Sequence, residues 1–171
     1  ARLSKAKLDG LDLSGIPFDG ADMQHVGLAG AKLHGASLVR VNLRKADLRD
    51  ADLTNADLRG AKMTATTMTG ALLGKANLEE AMLGGNLVGA DFSDGRLARA
   101  DLAGANLKDA IFNNADLQQA NFTSCNLYSA DFTGARLRRA NFSRANLEKA
   151  IFTNADLSGA VFDDARGAPK R

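Results

Sequence analysis

The sequence predicts an all-β solenoid in which extended segments of three residues alternate with two-residue corners and wind into coils of twenty. Three observations carry this expectation. The first is a period of five: from Leu3 every fifth residue is Leu, Phe or Met up to Leu83, and after one step of four the same period runs from Leu87 to Phe162. The second is what surrounds these 33 centres: a small residue stands two positions earlier, Ala in 25 of them, and Asp or Asn fills the slot between in 18. Residues i and i+2 of an extended segment share a face, so the small and large residues point inward together and the Asp or Asn points out. An α-helix, with its apolar period of about 3.6, does not accommodate this spacing. The third observation sets the coil. Phe92, Phe112, Phe132 and Phe152 recur at twenty, as do Phe122, Phe142 and Phe162, which places two stacks of rings on opposite walls of a square tube. Asn86, Asn106, Asn126 and Asn146 recur at the same interval, as an amide ladder between strands about 4.8 Å apart would.

Taken in order, residues 1–83 form the first run of repeats. The small slot there is filled by larger residues at Leu11, Ile16, Val26, Val41 and Thr66. The break in register falls in Gly84-Gly85-Asn86-Leu87-Val88-Gly89, where glycine suits a corner tightened by one residue because it accepts positive φ without steric cost. A second run continues to 164, so residues 1–164 read as one domain containing the break at 84–89. Residues 165–171 leave the pattern and read as a C-terminal tail.

The repeated A(D/N)LXX unit, as in Ala46-Asp47-Leu48, Ala51-Asp52-Leu53 and Ala145-Asn146-Leu147, resembles the pentapeptide-repeat family over residues 1–164. The resemblance implies a right-handed quadrilateral β-helix with four pentapeptides per coil and about eight coils. It also implies a bacterial interaction module or, by similarity to the quinolone-resistance members of the family, a protein that binds DNA gyrase by imitating duplex DNA.

Composition narrows the function. Lys and Arg number 22 against 20 Asp and Glu, a formal charge of +2, which excludes both a strongly acidic nucleic-acid mimic and a strongly basic DNA binder. One cysteine excludes an internal disulfide framework, and with only two histidines it supplies no structural zinc site. No apolar run is long enough to span a bilayer, and the N-terminal residues ARLSKAKLDG lack the apolar stretch of a signal peptide. Cytoplasmic exposure is the default expectation, for a segment that starts on Ala rather than Met and whose original targeting signal need not be part of it.

No enzymatic constellation emerges, and no cofactor or metal site is expected. His25 and His34 fall at corners on different walls; Cys125 takes an inward small slot and reads as an inert thiol; the Asp residues are outward on all four walls by structural rule. The most distinctive surface feature is Arg136, Arg138, Arg139 and Arg144, with Arg96 and Arg99 two coils earlier on the same wall. Within that wall Arg96, Asp116, Arg136 and Asp156 would alternate as a charge ladder. Arg99, Arg138, Arg139 and Arg144 are then left without such partners and are the candidate partner-binding residues, facing a protein with an acidic surface. Ile111, Ile151 and Leu72 in one outward column, and the corner Tyr128, are apolar at polar slots.

Two functions compete. A rigid non-enzymatic scaffold presenting its faces to a protein fits the balanced charge. The gyrase-directed alternative calls for net negative charge, loops between coils and a C-terminal dimerisation module, none of which this sequence displays. Residue 1 is an inward Ala of its repeat, so an uncapped first coil is expected, covered by a neighbouring domain or by end-to-end self-association.

Overall fold

A computed structural model describes residues 2–169 as a β-helix; the reading of residue 1 as an inward Ala lies outside the described residues. Two segments are long enough to count as strands, β1 (Lys62–Thr67) and β2 (Met82–Asn86), which pair in parallel. Elsewhere the outward residue of a repeat forms a parallel bridge to the outward residue one coil further on, twenty residues away except across the four-residue step. Four columns of bridges define four walls. The first passes through Asp22 and Asn42, the second through Gly27 and Asp47, the third through Asp52 and Leu72, and the fourth through Asp57 and Asn77.

One repeat shows why the chain folds this way. Asp52 N–H donates to Ala31 of the previous coil at 2.9 Å, and Leu53 N–H to Leu72 of the next at 2.7 Å. Asn55 N–H donates to Gly74 of the next coil, and Ala56 N–H closes the corner onto Leu53 O, both at 3.0 Å. The remaining N–H, on Thr54, has no backbone acceptor and goes to Asp52 Oδ1 at 2.9 Å. That is the physical reason for Asp or Asn in the outward slot: its short side chain reaches the one amide in five that the ladder leaves over. The second corner residue takes positive φ, as at Asn55 (58°) and Gly30 (63°), the conformation a type II turn requires of its third residue.

Inside, the Ala and Leu positions from Ala21 to Leu147 are shielded from solvent. Phe92, Phe112 and Phe132 stack with centroids 4.9 Å apart, and the first-wall row of Phe122, Phe142 and Phe162 does likewise at 4.9 and 5.2 Å. The two rows also meet edge-on across the tube, Phe112 against Phe122 at 5.7 Å and 84°, the favoured geometry for ring quadrupoles.

The four-residue step does not interrupt the ladder. Lys62 pairs with Met82 and Thr67 with Asn86, so the residue lost lies in the corner between them. The affected coil has nineteen residues, as in the bridges Leu72 to Asp91 and Asn77 to Arg96, and twenty return at Asn86 to Asn106. Thr66 is the buried polar residue of the core, and its hydroxyl lies 3.0 Å from both the Met63 and Gly84 carbonyl oxygens. Gly85 holds φ at +109°, and a Cβ there would stand 2.2 Å from Thr66 O.

At the C-terminal end the expected tail starts later than residue 165. Arg166 bridges Asn146, its N–H donating to Ala145 O at 2.9 Å and its carbonyl accepting from Leu147 N–H at 2.8 Å. The coil therefore continues through Arg166 although the residue types have left the repeat, because backbone pairing does not depend on side-chain identity.

Candidate partner-binding surface

The fourth wall and the corner that follows it concentrate one kind of side chain. Of the 13 arginines, seven sit there: Arg40, Arg59, Arg96, Arg99, Arg136, Arg138 and Arg139, and no lysine joins them. Bridges place Arg96, Asp116, Arg136 and Asp156 in one outward column. The corner residues stack through the second-residue amides, Arg99 N–H donating to Gln118 O and Gln119 N–H to Arg138 O, each at 2.9 Å.

Two parts of the sequence-based charge scheme change. Arg96 turns away from Asp116 to pair with Glu79, while Arg136 reaches Asp116 at 3.5 Å. Arg99 and Arg138, expected to lack partners, have them: Arg99 donates to Glu80 at 2.8 and 3.1 Å, and Arg138 Nε lies 3.8 Å from Asp156. The corner explains both corrections. Side chains there splay along the axis, so a guanidinium reaches a carboxylate one coil away in an adjacent column as easily as one in its own. Arg139 and Arg144 form no ion pair among the described residues. Arg144 is not on this corner; it follows Phe142 of the first wall, where its N–H donates to Asp163 O at 2.7 Å.

Arg138 and Arg139 line a shallow depression together with Gln118 and Gln119. Gln118 Nε2 is engaged by Asp116 at 3.1 Å, which leaves its amide oxygen free. The depression thus offers guanidinium donors, with Arg138 only loosely held and Arg139 unpaired. It can take a carboxylate or another flat anion in a two-pronged contact. Glu79, Glu80, Gln118 and Gln119 were not singled out from sequence. The recurrence of Arg96 at Arg136 and of Arg99 at Arg139, forty residues apart, is the signal that would have drawn attention to the whole corner.

The other candidates are quieter. Cys125 is buried, its Sγ donates to Leu102 O at 2.9 Å, and desolvation pushes the thiol up to about 12, far from a reactive thiolate. His25 is an exposed corner residue at φ 56°, and His34 Nδ1 rests 2.7 Å from Thr54 Oγ1. No three His, Cys, Asp or Glu side chains among the described residues are placed to hold a metal ion, and no helix there is long and apolar enough to cross a membrane. Tyr128 sits between two ammonium groups, Lys108 at 5.9 Å and Lys149 at 5.1 Å from the ring centroid. The Asn ladder forms as expected, Asn126 Nδ2 donating to Asn106 Oδ1 at 3.1 Å and Asn146 Nδ2 to Asn126 Oδ1 at 3.4 Å.

No curated protein matches the chain. Among solved structures, HetL, a pentapeptide repeat protein involved in heterocyst differentiation regulation from the cyanobacterium Nostoc, is 30% identical over 96% of this chain and 86% of its own, with a TM-score of 0.34. A trypsin-treated form of QnrB1, a plasmid-mediated fluoroquinolone resistance protein, is 19% identical over 94% of this chain and 87% of its own, with a TM-score of 0.49. A pentapeptide repeat protein of the Arabidopsis thaliana thylakoid lumen is 27% identical over 77% and 71%, with a TM-score of 0.26. The family model for pentapeptide repeats matches in eight copies, over residues 1–33, 27–64, 86–123 and 125–164. The stretch between 64 and 86 that it passes over holds Thr66 and the shortened step, where the repeat is least regular. On the repeats, the coil they build and this match, the chain belongs to the pentapeptide repeat family.

Proposed function

We propose that this chain is a non-enzymatic rigid scaffold, a right-handed quadrilateral β-helix of about eight coils that presents its faces to a protein partner. The observation that carries the reading is the arginine-rich corner, where Arg139 has no ion pair among the described residues and Arg138 is held only at 3.8 Å, beside the free amide oxygen of Gln118 and the side-chain amide of Gln119. An acidic surface of a partner protein complements it, with Arg99 two coils earlier on the same corner and Arg144 on the next corner, across the first wall, extending the contact. The rigidity suits the role: every interior coil is hydrogen-bonded to both neighbours, so little ordering is required on association.

The test is a triple reversal, Arg138→Glu, Arg139→Glu and Arg144→Glu. Corner side chains project into solvent, so the fold is retained and thermal unfolding shifts little. Capture of an acidic partner on immobilised protein is lost, because three reversed charges replace attraction with repulsion. Capture that persists in the triple variant overturns the reading. The gyrase-directed alternative makes the opposite prediction, since a duplex mimic gains from added negative charge. Inhibition of gyrase supercoiling by the unaltered protein, preserved or strengthened in the triple variant, would favour that alternative.

A further inference from the structure

The third wall departs from the repeat in a regular way. Its outward column runs Asp52, Leu72, Asp91, Ile111, Asp131, Ile151 through consecutive bridges. The Asp rungs serve the fold: Asp52, Asp91 and Asp131 each accept from the backbone N–H and the hydroxyl of the residue two further on, Thr54, Ser93 and Thr133, at 2.5–2.9 Å. The aliphatic rungs do not. No side chain among the described residues accepts from the amides of Gly74, Asn113 or Thr153, and Leu72 and Ile151 are each 46% exposed, with Ile111 half-buried. Three repeats thus give up a corner hydrogen bond to show an aliphatic side chain to solvent, on every second coil and on one wall.

From this we infer that the third wall is a docking track for an extended, cationic segment of a partner protein in polyproline II conformation, with an aliphatic residue at every third position. Spacing selects the conformation. Rungs two coils apart are separated by roughly 9.6 Å, twice the spacing of neighbouring strands. A polyproline II chain returns the same face every third residue after about 9.3 Å, a mismatch of roughly 0.3 Å per rung. A helix returns a face every seventh residue after about 10.5 Å, which puts it out of step by nearly 2 Å over the three rungs. A β-strand repeats its face after about 6.7 Å and reverses it at the third residue.

Charge selects the composition. On this wall and the corner after it, the coils from Ala90 onward carry Asp91, Asp94 and Asp131 and no Lys or Arg. Asn113, whose side-chain amide satisfies Asp131 at 3.1 Å when oriented with its nitrogen towards the carboxylate, is neutral and leaves that charge in place. Beside Leu72, the missing side chain of Gly74 opens a notch between Thr54 and Ser93, lined also by Asn55, Lys75 and Asp94, that can receive a bulky residue at one end of the track. A second copy of this chain is a poorer occupant, since wall against wall would oppose the Asp residues.

The probe is a fluorescein-labelled peptide of four Leu-Pro-Lys units, read by anisotropy against the full chain, with Ala-Pro-Lys and Leu-Pro-Glu peptides beside it. The Leu-Pro-Lys peptide is expected to bind and the other two to bind on the order of tenfold more weakly or worse. Ile111→Asp is the informative variant, because it restores the commonest residue of the slot and supplies an acceptor for Asn113 N–H. Its melting temperature is expected to hold or rise while affinity for Leu-Pro-Lys falls on the order of tenfold, although the wall has become more acidic. Asp131→Asn lowers the same affinity severalfold. Binding that survives Ile111→Asp, equal binding of the Ala-Pro-Lys peptide, or no binding at roughly millimolar peptide overturns the proposal. So does a concentration-dependent dimer that Ile111→Asp abolishes, which would give the wall to a second copy. None of these variants touches the arginine corner, so the outcome is independent of the scaffold's other surface.

Discussion

At Gly85 one methyl group decides whether the shortened step can close. Its φ of +109° and the 2.2 Å approach of a Cβ to Thr66 O leave no room for alanine, and the opposing atoms are backbone. Gly85→Ala should cost about 3 kcal/mol or more in a denaturant titration. Gly30→Ala should cost only about 1 kcal/mol, because its φ is also positive but nothing stands within 4 Å. Equal losses at the two sites would mean that strain at φ, not the close approach, governs. Asp47 and Asp57 set a second expectation. The side-chain hydrogen bonds of Arg49 and Arg59 hold these carboxyls below the ordinary value of 3.8. The unfolded chain then binds those protons more readily than the folded one, so the stabilisation is present above 3.8 and is lost as pH falls through the lower folded values. Melting temperature should hold from neutrality to about pH 5 and fall below about pH 4, with a shallower fall in Asp47→Asn and Asp57→Asn. The preference for Asp and Asn was legible in the sequence as a slot, but its purpose was not. Only the hydrogen bonds show that the outward side chain serves the amide two residues on. The corner conformation was hidden for a related reason: 21 described non-glycine residues adopt positive φ under the constraint of the ladder, among them Lys75, Arg99 and Ala65, which do so against their own preference.

Each repeat behaves as a small element with an inward pair and an outward cap, and its energetics follow from the narrow tube it lines. Leu127 is fully shielded, with stacked coils above and below that cannot collapse into a void. Leu127→Ala should cost on the order of 2 to 5 kcal/mol. Gln118→Ala, half-exposed beside Arg138, should stay within about 0.5 kcal/mol. Similar midpoints for both would invert the inside and outside of the repeat. The inward and outward slots, the two phenylalanine rows and the asparagine ladder were all readable, because one side-chain period fixes the face of every residue. The edge-on contact between the two rows was not, since it depends on the width of the tube. Nor were the partners of Arg96, Arg99 and Arg138. Column spacing gives the backbone distance between charges, but long side chains choose among several carboxylates within reach.

Across the whole molecule, each coil touches only its neighbours, so stability is a sum of coil terms and interfaces rather than the property of one centre. The shortened coil enters this sum as a single weak link, held by Thr66 and Gly85, yet it leaves each wall aligned on both sides of it. Alignment matters because the wall patterns are finer than the coil. Arg96 returns at Arg136, Ile111 at Ile151 and Asp91 at Asp131, each after forty residues. Two coils, not one, are therefore the unit in which this chain can be lengthened by duplication. Copying a forty-residue block would extend the rod by roughly 9.6 Å and leave both decorated walls in phase, whereas copying twenty would set like against like at the seam of each wall. The sequence thus has the grain of a cassette two coils deep, and insertions that respect it can change the reach of the molecule without changing what its walls display.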